Sequence, residues 1–223
     1  MPRADRRVGR YGLLLLATVA SVGVQGVIEP SGVQNVVVTA LAGGTLVLAF
    51  HAGGLAPRFT RAVAAFAAAA VVVTIIRATA GGIGEGAARS VNAALVALAP
   101  PAVAIGLLRE LRATQEVRLE AVSGVLCLYV LVGMAFGFIY GAIDNLGGDP
   151  FFASGASASV SHCLYFSLTT LATVGYGDFV ARTNLGHTLS VSEALIGQIY
   201  LVTVVSLIVS NLRGPARRDR PDP

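Results

Sequence analysis

Long apolar runs separated by short polar connections dominate the chain, and the length of those runs predicts helices that cross a bilayer. A crossing helix needs about 20 mainly apolar residues, because a rise of 1.5 Å per residue must cover about 30 Å of hydrocarbon. Six segments meet that requirement, two of them marginally: about Tyr11 to Ile28, Val33 to Phe50, Ala62 to Ile76, Ala88 to Leu108, Ala121 to Gly141 and Gly186 to Leu212. The last would be roughly 40 Å long, so it should tilt or project beyond the bilayer. Between the fifth and sixth, Phe151 to Ala172 starts with serine, glycine and alanine and ends in the apolar Cys163, Leu164, Tyr165, Phe166, Leu168 and Leu171. That apolar part is too short to span, and it reads as a re-entrant half-helix with Ser159 or Ser161 available as N-cap. Pro100-Pro101 should kink the fourth span. Arg109 to Glu120 alternates charges at helical spacing, which suits either an amphipathic coupler on the inner surface or a plain solvated connection.

Composition points the same way. Of 223 residues, 55% are hydrophobic and 13% charged, about half the roughly 25% charge of soluble domains, which argues against a water-soluble fold. All 16 basic residues are arginine, which reads as the codon bias of a GC-rich genome. The net charge of +4 does not suggest nucleic acid, because the arginines sit in the connections, where they report topology. Arg3, Arg6, Arg7 and Arg10, Arg58 and Arg61, Arg109, Arg112 and Arg118, and Arg213, Arg217, Arg218 and Arg220 fall on one side, against Arg77, Arg89 and Arg182 on the other. That bias of 13 to 3 puts both termini in the cytoplasm and opens the re-entrant segment to the outside. The basic start before Leu13 to Ala20 also has the layout of a signal peptide, but the apolar run continues through Val27 and Ile28 toward spanning length. Cys127 and Cys163 have no metal-ligand spacing and form no disulfide framework; both read as small apolar residues in helices.

The half-helix is followed by Thr173-Val174-Gly175-Tyr176-Gly177-Asp178. On this hexapeptide, set between a half-helix and a long last span, the chain resembles the potassium-channel family, in the six-span bacterial form without a voltage-sensor arginine repeat. The resemblance covers about Val117 to Arg213. Physical reasoning agrees with it: a dehydrated ion needs oxygen ligands on all sides, and Gly175 and Gly177 permit the positive φ angles that turn successive carbonyls one way. Irregular backbone at membrane depth is tolerated where protein buries it or a water-filled pore borders it.

The resemblance implies that the carbonyls of Thr173, Val174, Gly175 and Tyr176, with the Thr173 hydroxyl, form stacked K+ sites and that Gly177 lies at the outer mouth. It implies that Tyr176 packs against Tyr165 and Phe166, which stand where the family commonly has an aromatic pair, while Asp178 sits behind the filter and holds its outer end. Thr169 occupies the half-helix position where some members place an acid. One filter sequence per chain implies a C4 homotetramer, since a carbonyl ring needs four contributors. Gly197, nineteen residues after Asp178, matches the position where the last helix can bend, although a glycine there serves close packing equally well.

Glu193 is the one acid inside an apparent span. It either supports the back of the filter or reaches water at the interface. The fourth span has no arginine between Arg89 and Arg109, so little or no voltage dependence is expected from it. The eleven residues after Leu212 are too few for a folded ligand-binding domain. His162 and His187, near the outer mouth, read better as solvated loop residues than as pH sensors.

The expected protein is thus an all-α membrane protein with six transmembrane helices, a re-entrant pore helix and a filter loop, assembled as a C4 tetramer. Its regions would be a non-voltage-sensing four-helix part (1–116), a pore domain (117–213) and a short cytoplasmic tail (214–223). The expected function is passive K+ conduction in the cell membrane, with lipid and K+ as partners, no nucleic acid, no enzymatic activity and no cofactor. The alternatives are a weakly selective cation channel and a nonconducting regulatory membrane subunit.

Overall fold

The computed structural model describes residues 8–27, 32–54, 56–80, 98–114 and 119–212. They form seven helices: α1 (Val8–Val27), α2 (Gly32–Ala52), α3 (Pro57–Ala80), α4 (Ala99–Thr114), α5 (Leu119–Leu146), α6 (Val160–Leu171) and α7 (Asn184–Leu212). There is no β-strand among the described residues, only an isolated antiparallel bridge between Phe152 and Ala181. Helix is what such apolar runs must form in lipid, because it satisfies every backbone group within the segment.

Among the described residues three helical segments are long and apolar enough to cross a membrane, Asn35–Ala52, Pro57–Ile76 and Val122–Leu146, and Tyr11–Val27 is a shorter apolar helix. The 29 residues of α7 reach about 43 Å, but its first turns carry Asn184, His187, Thr188 and Ser190. α3 starts earlier than the apolar pattern suggested because Pro57 opens it, at a position where a missing N–H costs nothing. About half of the expected fourth span, residues 88–97, lies outside the described residues. Its described part starts at Ala99, which puts Pro100 and Pro101 in the first turn of α4, where proline is tolerated, and not within a continuous span.

One apolar core joins the N-terminal helices to α5, with Leu14, Leu46, Val103 and Leu131 all fully buried in it. α1 contributes a stripe at helical spacing, Leu14, Thr18, Ser21 and Gln25, and packs on both α5 and α6. Small residues let α2 and α4 approach closely: a Cβ on Gly106 would lie 2.4 Å from the Gly53 Cα. Among the described helices α3 packs on α2 alone, and Phe59, Phe66, Val72 and Ile76 are exposed.

A second, aromatic cluster lies around α6. Tyr140, Phe151, Phe152 and Phe166 are buried together, with Phe179 packed against them. Phe151 and Phe152 hold the segment before α6 in place. The Phe151 N–H donates to the Asp144 carboxylate at 2.8 Å, and Ala153 N to Val180 O (2.9 Å) and Arg182 N to Phe151 O (2.8 Å) tie that segment to the chain beyond the hexapeptide.

Candidate functional site

The site begins with a short helix that stops in the right place. Ser159 caps α6, its hydroxyl accepting from the His162 N–H at 3.2 Å, so of the two serines open in the sequence this one fills the N-cap. The twelve residues of α6 reach only about 18 Å. At its end the Ala172 N–H donates to Leu168 O (3.0 Å), Thr173 N to Thr170 O (2.9 Å), and both Val174 N (2.8 Å) and Gly175 N (3.3 Å) to Thr169 O.

The backbone then alternates. Thr173, Gly175 and Gly177 have φ of 55°, 53° and 81°, while Val174 and Tyr176 do not enter the positive-φ region. In an extended chain each carbonyl points opposite to the one before it, and placing every second residue in the left-handed region cancels that reversal. Gly175 and Gly177 take this conformation at no steric cost. Thr173 does not: a β-branched residue at φ 55° is a genuine outlier, with strain of about 1–3 kcal/mol. That feature was invisible in the sequence, where only the glycines announced left-handed backbone. Thr173 to Asp178 are all exposed in the single chain, Tyr176 by 70%.

Of the residues expected to support the hexapeptide, Tyr165 and Asp178 meet. The Tyr165 ring stacks on Tyr176, centroids 6.2 Å apart and planes 10° from parallel, and its hydroxyl faces the Asp178 carboxylate, which interacts with it electrostatically. Asp178 is exposed and also accepts from the Phe179 N–H at 3.1 Å. Phe166 goes elsewhere. Its ring packs on Tyr140, Phe151 and Phe152 at 5.2, 6.0 and 5.6 Å. The Thr169 hydroxyl bonds back to Tyr165 O (2.8 Å) and Phe166 O (3.0 Å) of its own helix, while its carbonyl receives the Val174 and Gly175 N–H groups of the hexapeptide.

Glu193 does not reach water: it is fully buried. The Tyr140 hydroxyl donates to its Oε2 at 2.6 Å, and the Ser167 hydroxyl bonds its Oε1 and lies 2.5 Å from Gly133 O. Glu193 therefore joins α7 to α5 and, at Ser167, to α6, the helix that leads into the hexapeptide. Gly197 is a contact point, since a Cβ there would lie 2.0 Å from the Leu171 carbonyl oxygen, whose other partner is the Tyr129 hydroxyl at 3.1 Å. The Tyr200 hydroxyl reaches Val125 O, and its ring packs on Tyr129 at 5.4 Å.

Tyr129, Tyr140, Ser167 and Tyr200 were not singled out from the sequence. Gly133, Gly137 and Gly141 did leave a readable sign, a four-residue spacing that marks a close helix contact; a Cβ on Gly133 would meet Leu168 at 2.7 Å, and one on Gly137 would meet Leu164 at 3.0 Å. His162 and His187 are helical and not loop residues, and each ring bonds a backbone carbonyl, Ser157 O at 2.8 Å and Ala181 O at 2.7 Å.

Comparison with known proteins identifies this same segment. Residues 124–213 match the family model described as ion channel. The chain is 28% identical over 102 residues, 46% of its length, to the calcium-activated potassium channel slowpoke of Drosophila melanogaster, of which the match covers 8%. It is 34% identical over 83 residues, 37% of its length, to two pore potassium channel c of Oryza sativa subsp. japonica, of which it covers 18%. The chain thus spans less than a fifth of the length of either curated relative. No solved structure matches it. Residues 124–213 are thus similar to the ion-channel family, and the long apolar helices are those of a membrane protein. The same part of the chain is distantly similar to parts of potassium channels.

Proposed function

We propose that four copies of this chain surround a central pore and conduct K+ selectively and passively across the cell membrane. The observation that carries this reading is the left-handed alternation at Thr173, Gly175 and Gly177 in an exposed segment. One chain supplies a single column of carbonyls, those of Thr173, Val174, Gly175 and Tyr176. Four columns about a C4 axis supply oxygen to an ion from all sides, replacing its hydration shell. The Thr173 hydroxyl adds the innermost ligand, and Gly177 forms the outer mouth. Exposed apolar residues at helical spacing on α7, Val191, Leu195, Ile199 and Val202, give neighbouring copies and the pore a face to use.

In this reading the chain crosses the membrane six times with both termini in the cytoplasm, as its arginine bias requires. Residues 1–116 are a scaffold and not a voltage sensor. In support, Arg58 and Arg61, the charged side chains described in α1–α4, are both exposed, and a charge outside the field gives voltage nothing to move. Steep gating-charge movement lost on altering Arg77 or Arg89 would overturn that part.

The test is ion flux through the purified protein in liposomes under K+ and Na+ gradients. Selective K+ flux, abolished by Gly175→Asp, is the expected result. Equal flux of both ions would point to a weakly selective cation channel. No flux from intact tetramers would favour a nonconducting regulatory subunit.

A further inference from the structure

A count of hydrogens around Glu193 leads beyond its contacts. Four groups lie in a row: the Tyr140 hydroxyl, the Glu193 carboxyl, the Ser167 hydroxyl and the Gly133 carbonyl. They make three contacts, and each contact needs one hydrogen. Tyr140 supplies one, to Oε2. Ser167 has a single hydroxyl hydrogen but two acceptors, Oε1 of Glu193 and the oxygen of Gly133, and a carbonyl has none to give. With Glu193 ionised, one of the two Ser167 contacts would press lone pair on lone pair in a site closed to water.

A proton on Oε1 removes the conflict: Glu193 donates to Ser167, Ser167 donates to Gly133 O, and every contact holds one hydrogen. The surroundings agree. The titratable groups facing the carboxyl are Tyr129 and Tyr140 of α5, with Cys163 of α6 behind Tyr140. No base faces it among the described residues, and an unpaired ionised carboxylate in such a place is disfavoured.

We propose that Glu193 is held as a neutral carboxylic acid, a hydrogen-bond donor that clips α7 to Ser167 of the half-helix and, through it, to the Gly133 carbonyl of α5. It is a positioning residue, acting on the hexapeptide through α6. The consequence for conduction rests on the channel reading above, whereas the protonation state does not.

The experiment therefore reads both. Infrared spectroscopy of the purified full-length protein at neutral pH should show a protonated-carboxyl C=O stretch that disappears in Glu193→Gln and shifts in Tyr140→Phe. In liposomes Glu193→Gln, whose amide NH2 can donate to Ser167 while its oxygen accepts from Tyr140, should retain flux and selectivity. Glu193→Asp, one methylene too short to hold both partners, should lose them. Absence of the band from the wild type, or flux kept by Asp and lost by Gln, would overturn the proposal. If Glu193→Gln does not fold, the wild-type band and its shift in Tyr140→Phe decide the question. A wild type that carries the band but passes no ions would leave the neutral acid standing and count against the channel reading alone.

Discussion

In α1 to α3 the buried threonine hydroxyls all bond back within their own helix: Thr18 donates to Leu14 O at 2.7 Å, Thr39 to Asn35 O at 2.7 Å, Thr45 to Leu41 O at 2.8 Å and Thr74 to Ala70 O at 2.8 Å, with Thr18 alone of the four also touching another helix, at the Cys127 Sγ 3.6 Å away. In α5 to α7 four buried or half-buried hydroxyls cross between helices. Tyr129 reaches Leu171 O, Tyr140 reaches Glu193, Ser167 reaches Gly133 O and Tyr200 reaches Val125 O. The first region is held by apolar packing and close approach of small residues, forces that tolerate small displacements. The second is held by directional bonds between elements far apart in sequence. In the proposed function, a column of carbonyls that must match an ion's hydration shell needs the second kind of fastening, and a scaffold does not.

That contrast breaks most sharply at Gly197. Replacing it with alanine would drive a methyl group into the Leu171 carbonyl, 2.0 Å from the built position. No side-chain rotation relieves a clash with backbone, so the cost should be about 3 kcal/mol or more. The expected outcome is loss of both K+ flux and tetramer, read by flux assay and size-exclusion chromatography. A glycine used only as a hinge would accept alanine, keep its assembly and change only how often the pore opens.

Gly175→Ala should come next. Nothing lies within 4 Å of the added Cβ, so the penalty comes from φ 53° alone, about 1–2 kcal/mol. Assembly should survive while discrimination of K+ from Na+ falls. A smaller effect is expected from Tyr165→Phe, which keeps the stacked ring on Tyr176 and removes only the hydroxyl contact to Asp178. Initial flux should be retained, with faster decay during sustained conduction in single-channel recordings. Unchanged decay would mean that the ring alone holds the outer end.

What could be read from the sequence follows the same division. Local features were legible: the half-helix, its serine cap, the two glycines with positive φ and the long last helix all depend on residues near one another in the chain. The pairing of Tyr165 and Phe166 against Tyr176 was not, because neighbours on a helix point about 100° apart and only one can face the hexapeptide. Tyr165 does, and Phe166 turns into the aromatic cluster with Phe151 and Phe152. The tyrosine contacts bridge 42, 53 and 75 residues, beyond the reach of any periodicity. Glu193 stood out as an intramembrane acid, but its partners are a tyrosine and a serine that look unremarkable alone. Thr173 was hidden for another reason: its strained backbone is imposed by the bonds to Thr169 and Thr170 around it, not by its own preference.

The smallest expected effect lies in the scaffold and has the opposite sign. Gln25 is fully buried in α1, its Nε2 donates to the Ser21 hydroxyl at 2.7 Å, and its Oε1 is the one buried side-chain polar atom without a partner among the described residues. An unsatisfied buried amide oxygen costs about 1–3 kcal/mol. Gln25→Leu removes it with little change in volume, at the loss of one bond within the same helix, so a net gain of about 1 kcal/mol is expected. The thermal midpoint of the purified protein should rise by a few degrees, with flux and selectivity unchanged. The same midpoint should fall for Ser167→Ala, which strips the clip from Glu193. If Gln25→Leu instead impaired conduction, Gln25 would itself position the pore segment, and the line between scaffold and pore would have to move to include it.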